Sequence, residues 1–422
     1  MFRSLFNYTK LSLWSLIFFF DFKINDKVNL DLLQILLYNI QMTNSLAVKC
    51  IQKLIPYLKM SNTRKEIIDI LNDVYENNIY HNDNISLEMF QKDFNFNFFD
   101  KYLLLERLSS GSIGQVYKIK DIESDKIYAM KVIHPTIDSD IKFILNMIYL
   151  FNLKKYAFFE LDVFIENFIN ETDFILEANN MNKFYEIYKN NDHIIIPGVK
   201  DFSKNIILME YITGDSVTTI NMYKRSKTML LFTLFCNNNK YIENFNHGDM
   251  HFGNFKNNNN KLVVYDFGFC FTVKDNMIVE ILDNFYHTII DFSRETKYSL
   301  KECIEYLIKY HIGSDDISIY ENDINEIFLK KKMSGMDELA MKSYYFFTKN
   351  DIKVKIEYLN LIINFYYTVE YIDCNVLELL SFCQTYNVFS KYMDIIKGMN
   401  LYRKEEKFEN YSSFADEFKK MI

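Results

Sequence analysis

With 422 residues, 49% of them hydrophobic and 25% charged, the chain is long enough for one large two-lobed domain or two to three smaller ones. A net charge of −8 and a pI near 5.5 argue against nucleic acid as a partner, because phosphate binding needs a basic face. Six scattered cysteines without a Cys-x-x-Cys pair fit a reduced, intracellular setting and no zinc ribbon.

No run reaches the roughly 20 apolar residues that span a bilayer. Residues 11–20, behind Arg3 and Lys10, read either as a targeting or membrane-leaning segment or as the start of a buried helix. Residues 23–100 show helical spacing, with a further helix start expected at Ser86. From Leu103 to Val132 the pattern changes to short strands, with residues 123–126 as a hairpin tip. Helices resume over 138–189, strands are expected at 194–196 and 206–210, and helices dominate beyond Gly214 around a strand at 261–265. The apolar runs 141–153 and 358–369 read as core helices, the Asn257–Asn260 tract as compositional bias, and the charged stretch 403–407 as a solvated face. The expected class is α+β: a helical extension over 1–100, a small mixed-sheet lobe with an inserted helical segment over 101–212, and a helical lobe over 213–422.

Glycine marks where chemistry gathers. None of the ten precedes Gly111, and seven fall between Gly111 and Gly268. Ser109-Ser110-Gly111-Ser112-Ile113-Gly114-Gln115-Val116 fits the G-x-G-x-x-G-x-V loop that covers phosphates, with Ser109 at the first glycine. Lys131 follows Val116 by fifteen residues, the distance a strand-turn-strand needs to return a lysine beneath that loop. Its acidic partner on a helix is taken as Glu177, with Glu160 and Glu166 as competitors by spacing. Ser110, Gly111, Ser112, Gly114, Val116, Ala129 and Lys131 are candidate nucleotide contacts, and the backbone at Glu210, Tyr211 and Ile212 is expected against adenine. His247-Gly248-Asp249-Met250-His251-Phe252-Gly253-Asn254 and then Asp266-Phe267-Gly268 give the Asp-x4-Asn and Asp-Phe-Gly pattern of a phosphoryl-transfer site. Asp249 would orient the acceptor, and Asn254 and Asp266 would hold Mg2+ against ATP. A metal centre built on His247, Asp249 and His251 is the weaker reading, since it gives Asn254 and Asp266 no role.

Together these residues resemble the UbiB/ADCK group of atypical kinase-like proteins, associated with ubiquinone and other prenyl-lipid pathways. Lys49-Cys50-Ile51-Gln52 stands where the group has K-x-G-Q, with Ile51 at the glycine. Glu171 and Asp173 match its E-x-D pair, and Ser112–Val116 and Lys131–Pro135 are similar to its own strings. The resemblance implies a two-lobed protein-kinase-like fold with the extension across the site. It also implies Lys49 paired with the Glu171 and Asp173 acids, Gln52 beside it, and a blocked peptide cleft. Mitochondrial or membrane association, and a membrane lipid or prenyl-lipid pathway protein as partner, rest on the resemblance alone. His-Gly-Asp in place of His-Arg-Asp, His251 in place of a lysine, and no proline beyond Pro197 for an Ala-Pro-Glu segment argue against protein phosphorylation. The leading reading is an ATP-dependent kinase or ATPase. A nucleotide-binding regulatory or lipid-chaperoning pseudokinase, and a small-molecule kinase similar to the aminoglycoside phosphotransferases, stand behind it.

Overall fold

The computed structural model describes residues 2–25, 27–60, 63–72, 80–289, 298–330 and 336–373. Five helices open the chain: α1 (Phe2–Asn25), α2 (Leu30–Thr43), α3 (Ser45–Met60), α4 (Lys65–Asn72) and α5 (Asp83–Phe94). Asparagines set two of their starts. Asn29 accepts from Leu32 N and Asn82 from Asn84 N, each satisfying an amide that has no partner inside the helix. The start expected at Ser86 is thereby moved back to Asn82, and Ser86 is buried within α5.

The second to fourth helices close a core around Leu33, Leu37, Val48, Ile55, Ile68 and Leu71. Ile51 packs into it, on the opposite side of α3 from Lys49 by helical geometry, so its bulk is absorbed within the extension. Along α1, Leu11 and Ser15 are buried while Leu13, Ile17, Phe20 and Ile24 are exposed. The 11–20 run is therefore a one-sided helix and not a buried one. Among the described residues no helix is long and apolar enough to cross a membrane.

The chain then lays down β1 (Tyr102–Ser110), β2 (Gly114–Asp121) and β3 (Ile127–Ile133), followed by α6 (Ile137–Leu150), α7 (Leu161–Asn170) and α8 (Phe174–Tyr188). Next come β4 (Ile194–Ile195), β5 (Val199–Phe202) and β6 (Ile206–Glu210). Five of these strands form one antiparallel sheet in the order β1-β2-β3-β6-β5. Alternation along the strands sends Tyr117, Ile119, Met130 and Val132 to a core shared with Phe90 of α5 and with Phe98. The strand expected at 194–196 does not join this sheet. It pairs in parallel with a strand of the other lobe, and the unforeseen β5 takes the edge. The 141–153 run is likewise less buried than expected: Ile141, Ile144 and Ile148 pack on the core, whereas Leu145, Tyr149 and Leu150 are exposed.

The larger lobe contains α9 (Met222–Asn238), β7 (Asn246–His247), β8 (Phe255–Asn258), β9 (Lys261–Val264), β10 (Cys270–Phe271), α10 (Asn276–Ile289), α11 (Leu300–Ile312), α12 (Glu321–Ile324), α13 (Met336–Lys349) and α14 (Ile356–Asp373). Here α9 buries Leu231, Phe232, Leu234 and Phe235 against Phe255, Leu262, Val264 and Phe267. Asn259 and Asn260, at φ 48° and 68°, make the β8–β9 turn. The asparagine tract thus has a backbone role, because asparagine tolerates the left-handed region better than other side chains. Cys50, Cys236, Cys270 and Cys303 are free thiols. Cys374, Cys383 and the 403–407 stretch lie outside the described residues. A small sheet lobe, a larger helical lobe and a helical extension make up the two-lobed protein-kinase-like arrangement.

Candidate active site

Cross-strand register places the central amine. Lys131 pairs with Val116 on one side and Ile207 on the other, so Lys131 and Val116 face the same cleft under the glycine-rich turn. Lys131 Nζ lies 2.6 and 2.8 Å from the two carboxylate oxygens of Glu177, and 3.3 Å from Asp266 Oδ1. Burial opposes the ammonium, but Asp266 and Glu177 outweigh it and raise the Lys131 pKa. Glu177 is delivered by α8. The competing Glu160 accepts from Ile356 N at 3.2 Å, and Glu166 is exposed.

The second carboxylate reaches Lys131 through unusual backbone. After β9 the chain turns at Asp266 with φ 54°, a conformation that costs an L-residue about 1–2 kcal/mol. Such a cost persists only where neighbours impose it. Burial works against ionisation of Asp266, yet Lys131, with Lys49 beyond it, holds the carboxyl well below the usual range.

Residues 247–254 bridge β7 and β8. Buried His247 accepts from Asp249 N through Nδ1 at 3.2 Å and donates from Nε2 to Tyr265 O at 3.1 Å, which braces the loop. Asn364 of α14 donates to His247 O at 2.9 Å. A Cβ at Gly248 would lie 2.4 Å from the Phe269 ring, so this packing leaves no room for the arginine of His-Arg-Asp. Asn254 donates its amide N–H to Asp249 O at 2.7 Å, leaving the side-chain oxygen for a cation. Burial raises the Asp249 pKa, but Lys53, His251 and Lys49 overcome this and bring it down to about 2.

A cleft of about 520 Å³ gathers these groups. Ser109, Gly111, Ser112, Ile113, Gly114 and Val116 form its roof, and Asp249, His251, Asn254 and Asp266 its floor. Lys49, Gln52 and Lys53 enter from α3. The glycine turn is tight: Gly111 N donates to Gly114 O at 2.9 Å, and a Cβ on Gly114 would come within 2.4 Å of Val132 O. His134 Nε2 donates to Gly111 O at 2.9 Å, which makes its Nδ1 the acceptor for His81 Nδ1 at 2.8 Å.

Not every expected residue reaches the cleft. Ser110 is buried beside His134, with Oγ 3.5 Å from Nε2. The cleft lining does not extend to Ala129, Glu210, Tyr211 or Ile212. Glu210 accepts from Gly198 N, and the Ile212 carbonyl accepts from Tyr265 OH at 3.0 Å. The pairing expected of Lys49 holds for one acid only. Lys49 Nζ is 3.3 Å from Glu171 Oε2, whereas Asp173 caps α8 by accepting from Ile175 and Leu176 N.

The sequence profile described as the ABC1 atypical kinase-like domain matches residues 80–299, more than half of the chain. The chain belongs to this ABC1 atypical kinase-like family. An uncharacterised chloroplastic aarF domain-containing protein kinase of Arabidopsis thaliana is 28% identical over 39% of this chain and 25% of its own length. An uncharacterised protein in the hydrogenase 1 5′ region of Clostridium pasteurianum is 25% identical over 68% of this chain and 59% of its own. The chain thus covers less than two thirds of either relative. A Mycobacterium tuberculosis protein solved with erythromycin aligns at 19% identity and a TM-score of 0.42, over 55% of this chain and 66% of that one.

Within the ABC1 match lie the glycine turn, Lys131, Glu177, Asp249, Asn254 and Asp266, while Lys49, Gln52 and Lys53 precede it. Lys53 went unread in the sequence. Its Nζ bonds Glu171 Oε1 and stands 4.3 Å from the Phe269 ring centroid. The signal was present, since residues four apart share a helix face and Lys49 had been singled out. Asn364 lies in a stretch without motif, and the histidine bridge joins residues 53 apart, so neither left a local pattern.

Proposed function

We propose that this chain is an atypical kinase or ATPase that binds Mg-ATP between its lobes. The observation carrying this reading is the convergence of Lys131, Glu177 and Asp266 at one side of a cleft whose floor also presents Asp249 and Asn254. Lys131, held by Glu177, would contact the nucleotide phosphates, and the turn at Gly111–Gly114 would cover them with backbone amides.

The donors fit a magnesium ion. Asp266 is ionised, a third of its side chain is exposed, and Asn254 has committed its nitrogen elsewhere. One carboxylate and one amide oxygen suit an ion that takes its other ligands from phosphates and water. When bound, the metal would neutralise charge on the phosphates. Asp249, kept anionic, would orient the acceptor hydroxyl or a water for in-line attack. Peptide phosphorylation is disfavoured by α3, which occupies the cleft mouth with Lys49, Gln52 and Lys53.

A magnesium-dependent ATP hydrolysis assay on the wild type and Asp266→Asn tests the proposal. Turnover should fall by about 10²–10³-fold in the variant, the scale of losing one group that stabilises transition-state charge. Equal turnover in both proteins would remove Asp266 from the reaction. ATP binding without turnover in either would make the chain a nucleotide-binding regulatory module.

A further inference from the structure

The 247–254 loop carries Asp249 but no lysine or arginine. A transferring phosphoryl group spreads negative charge over three equatorial oxygens, and enzymes meet that charge with fixed cations. Lys131 supplies one from the sheet lobe, but it is already matched by Glu177 and Asp266. On the opposite side two ammoniums stand within reach of the cleft. Lys49 and Lys53 meet the carboxylate of Glu171, and both lie close enough to Asp249 to favour its charged form, Lys53 the more strongly.

Lys53 has the position as well as the charge. It and Asp249 line both the main cleft and a tight crevice of about 40 Å³ behind it, walled by Phe164, Phe168 and Phe269. The ammonium therefore stands at the inner edge of the cleft, beside Asp249. Its hold on the protein is one carboxylate and one aromatic face, both of which a phosphate can replace or share without unfolding α3.

We propose that Lys53 is the terminal-phosphate contact of this site, an extension-borne cation doing what the 247–254 loop lacks the residue to do. The inference rests on the Mg-ATP reading above. On entry of a triphosphate, Lys53 turns from Glu171 toward the outermost phosphate on its Asp249 side, and Glu171 stays neutralised by Lys49. ADP, one phosphate shorter, does not reach it. The contrary role for the same residue is a latch, in which the Lys53–Glu171 bond only fastens α3 across the cleft.

Calorimetric titration of the full chain with ATP and with ADP, in magnesium, separates the two roles. Lys53→Met should weaken ATP binding by about tenfold, the worth of one charged hydrogen bond, and leave ADP binding unchanged. Lys53→Arg should restore most of the difference. Lys53→Gln, whose amide can still bond Glu171, gives the same reading if methionine unseats the helix. An equal loss for both nucleotides, or unchanged ATP affinity, overturns the proposal, and faster ATP turnover with an unchanged ATP-to-ADP ratio assigns the latch. If the wild type binds neither nucleotide, the Mg-ATP reading fails first and takes this inference with it.

Discussion

Two lysine–glutamate clusters face each other across the cleft, built from the same residue types in opposite proportion. Around Lys131 one ammonium serves two carboxylates, Glu177 and Asp266. Around Glu171 one carboxylate serves two ammoniums, Lys49 and Lys53. The first leaves a surplus of negative charge, which suits a metal ion. The second, with Asp249 beside it, is nearer balance and keeps two ammoniums within reach of phosphate. A salt bridge by itself says little about function, since most serve only to settle charge that folding has buried. The imbalance around Lys131 is informative, because a residual buried charge is costly unless something else arrives to meet it.

The comparison breaks first under removal of each glutamate. Glu171→Gln deprives two ammoniums of the carboxylate they share, whereas Glu177→Gln leaves Lys131 with Asp266. The former should cost about 3–5 kcal/mol, the scale of breaking a buried pair by removing one partner. The latter should cost less, about 1–3 kcal/mol, as for a lost hydrogen bond to a charged group. Activity should run the other way: Glu177→Gln loses most ATP turnover, while Glu171→Gln, folded at low temperature, retains it. Urea unfolding midpoints with turnover rates on the same preparations check both orders. If Glu177→Gln is the more destabilising, charge counting does not explain these clusters.

A second contrast sets the charged clusters against the uncharged bridge over the roof. His81 and His134 are both held below the ordinary imidazole pKa, chiefly by burial, and His81 comes down to about 4. His134 and Arg107 lower His81 further, and Asp83 opposes them. Because the unfolded chain protonates His81 first, its contribution to stability is present at neutral pH and is lost as pH falls from 6.5 toward 4. Protonating His81 also removes nothing from Glu177 or Glu171, so the effect is confined to the roof. Melting temperature should fall over that window more steeply in the wild type than in His81→Asn. Parallel slopes would show that the histidine bridge does not titrate there.

Legibility in the sequence followed locality. The strand-turn-strand from Ser109 to Lys131 and the 247–254 loop are short segments whose spacing carries their geometry, and Lys131 is found under the turn. Glu177 needed the resemblance to be chosen over Glu160, because helix spacing alone leaves several acids in range. The pairing of β4 with β9 was hidden because a two-residue apolar strand gives no sign of which sheet it joins. Lys53 left only the weak signal of sharing a helix face with Lys49, because a lysine on a helix is ordinarily solvated; its bond to Glu171 shows otherwise.

Asp173 gives the finest test, because resemblance and geometry assign it different work. The resemblance groups it with Glu171 as an acid facing Lys49, which would make its charge matter. In the structure its carboxylate accepts from Ile175 N at 2.9 Å and Leu176 N at 3.2 Å, at the mouth of the helix that carries Glu177. Asparagine caps helices as well as aspartate does, and alanine does not, at a cost of about 1 kcal/mol. Asp173→Asn should therefore leave stability and turnover near wild type, while Asp173→Ala should lose that increment and loosen Glu177 on Lys131. If asparagine fails as badly as alanine, the negative charge is the working part, and Asp173 belongs with the cluster that holds the extension.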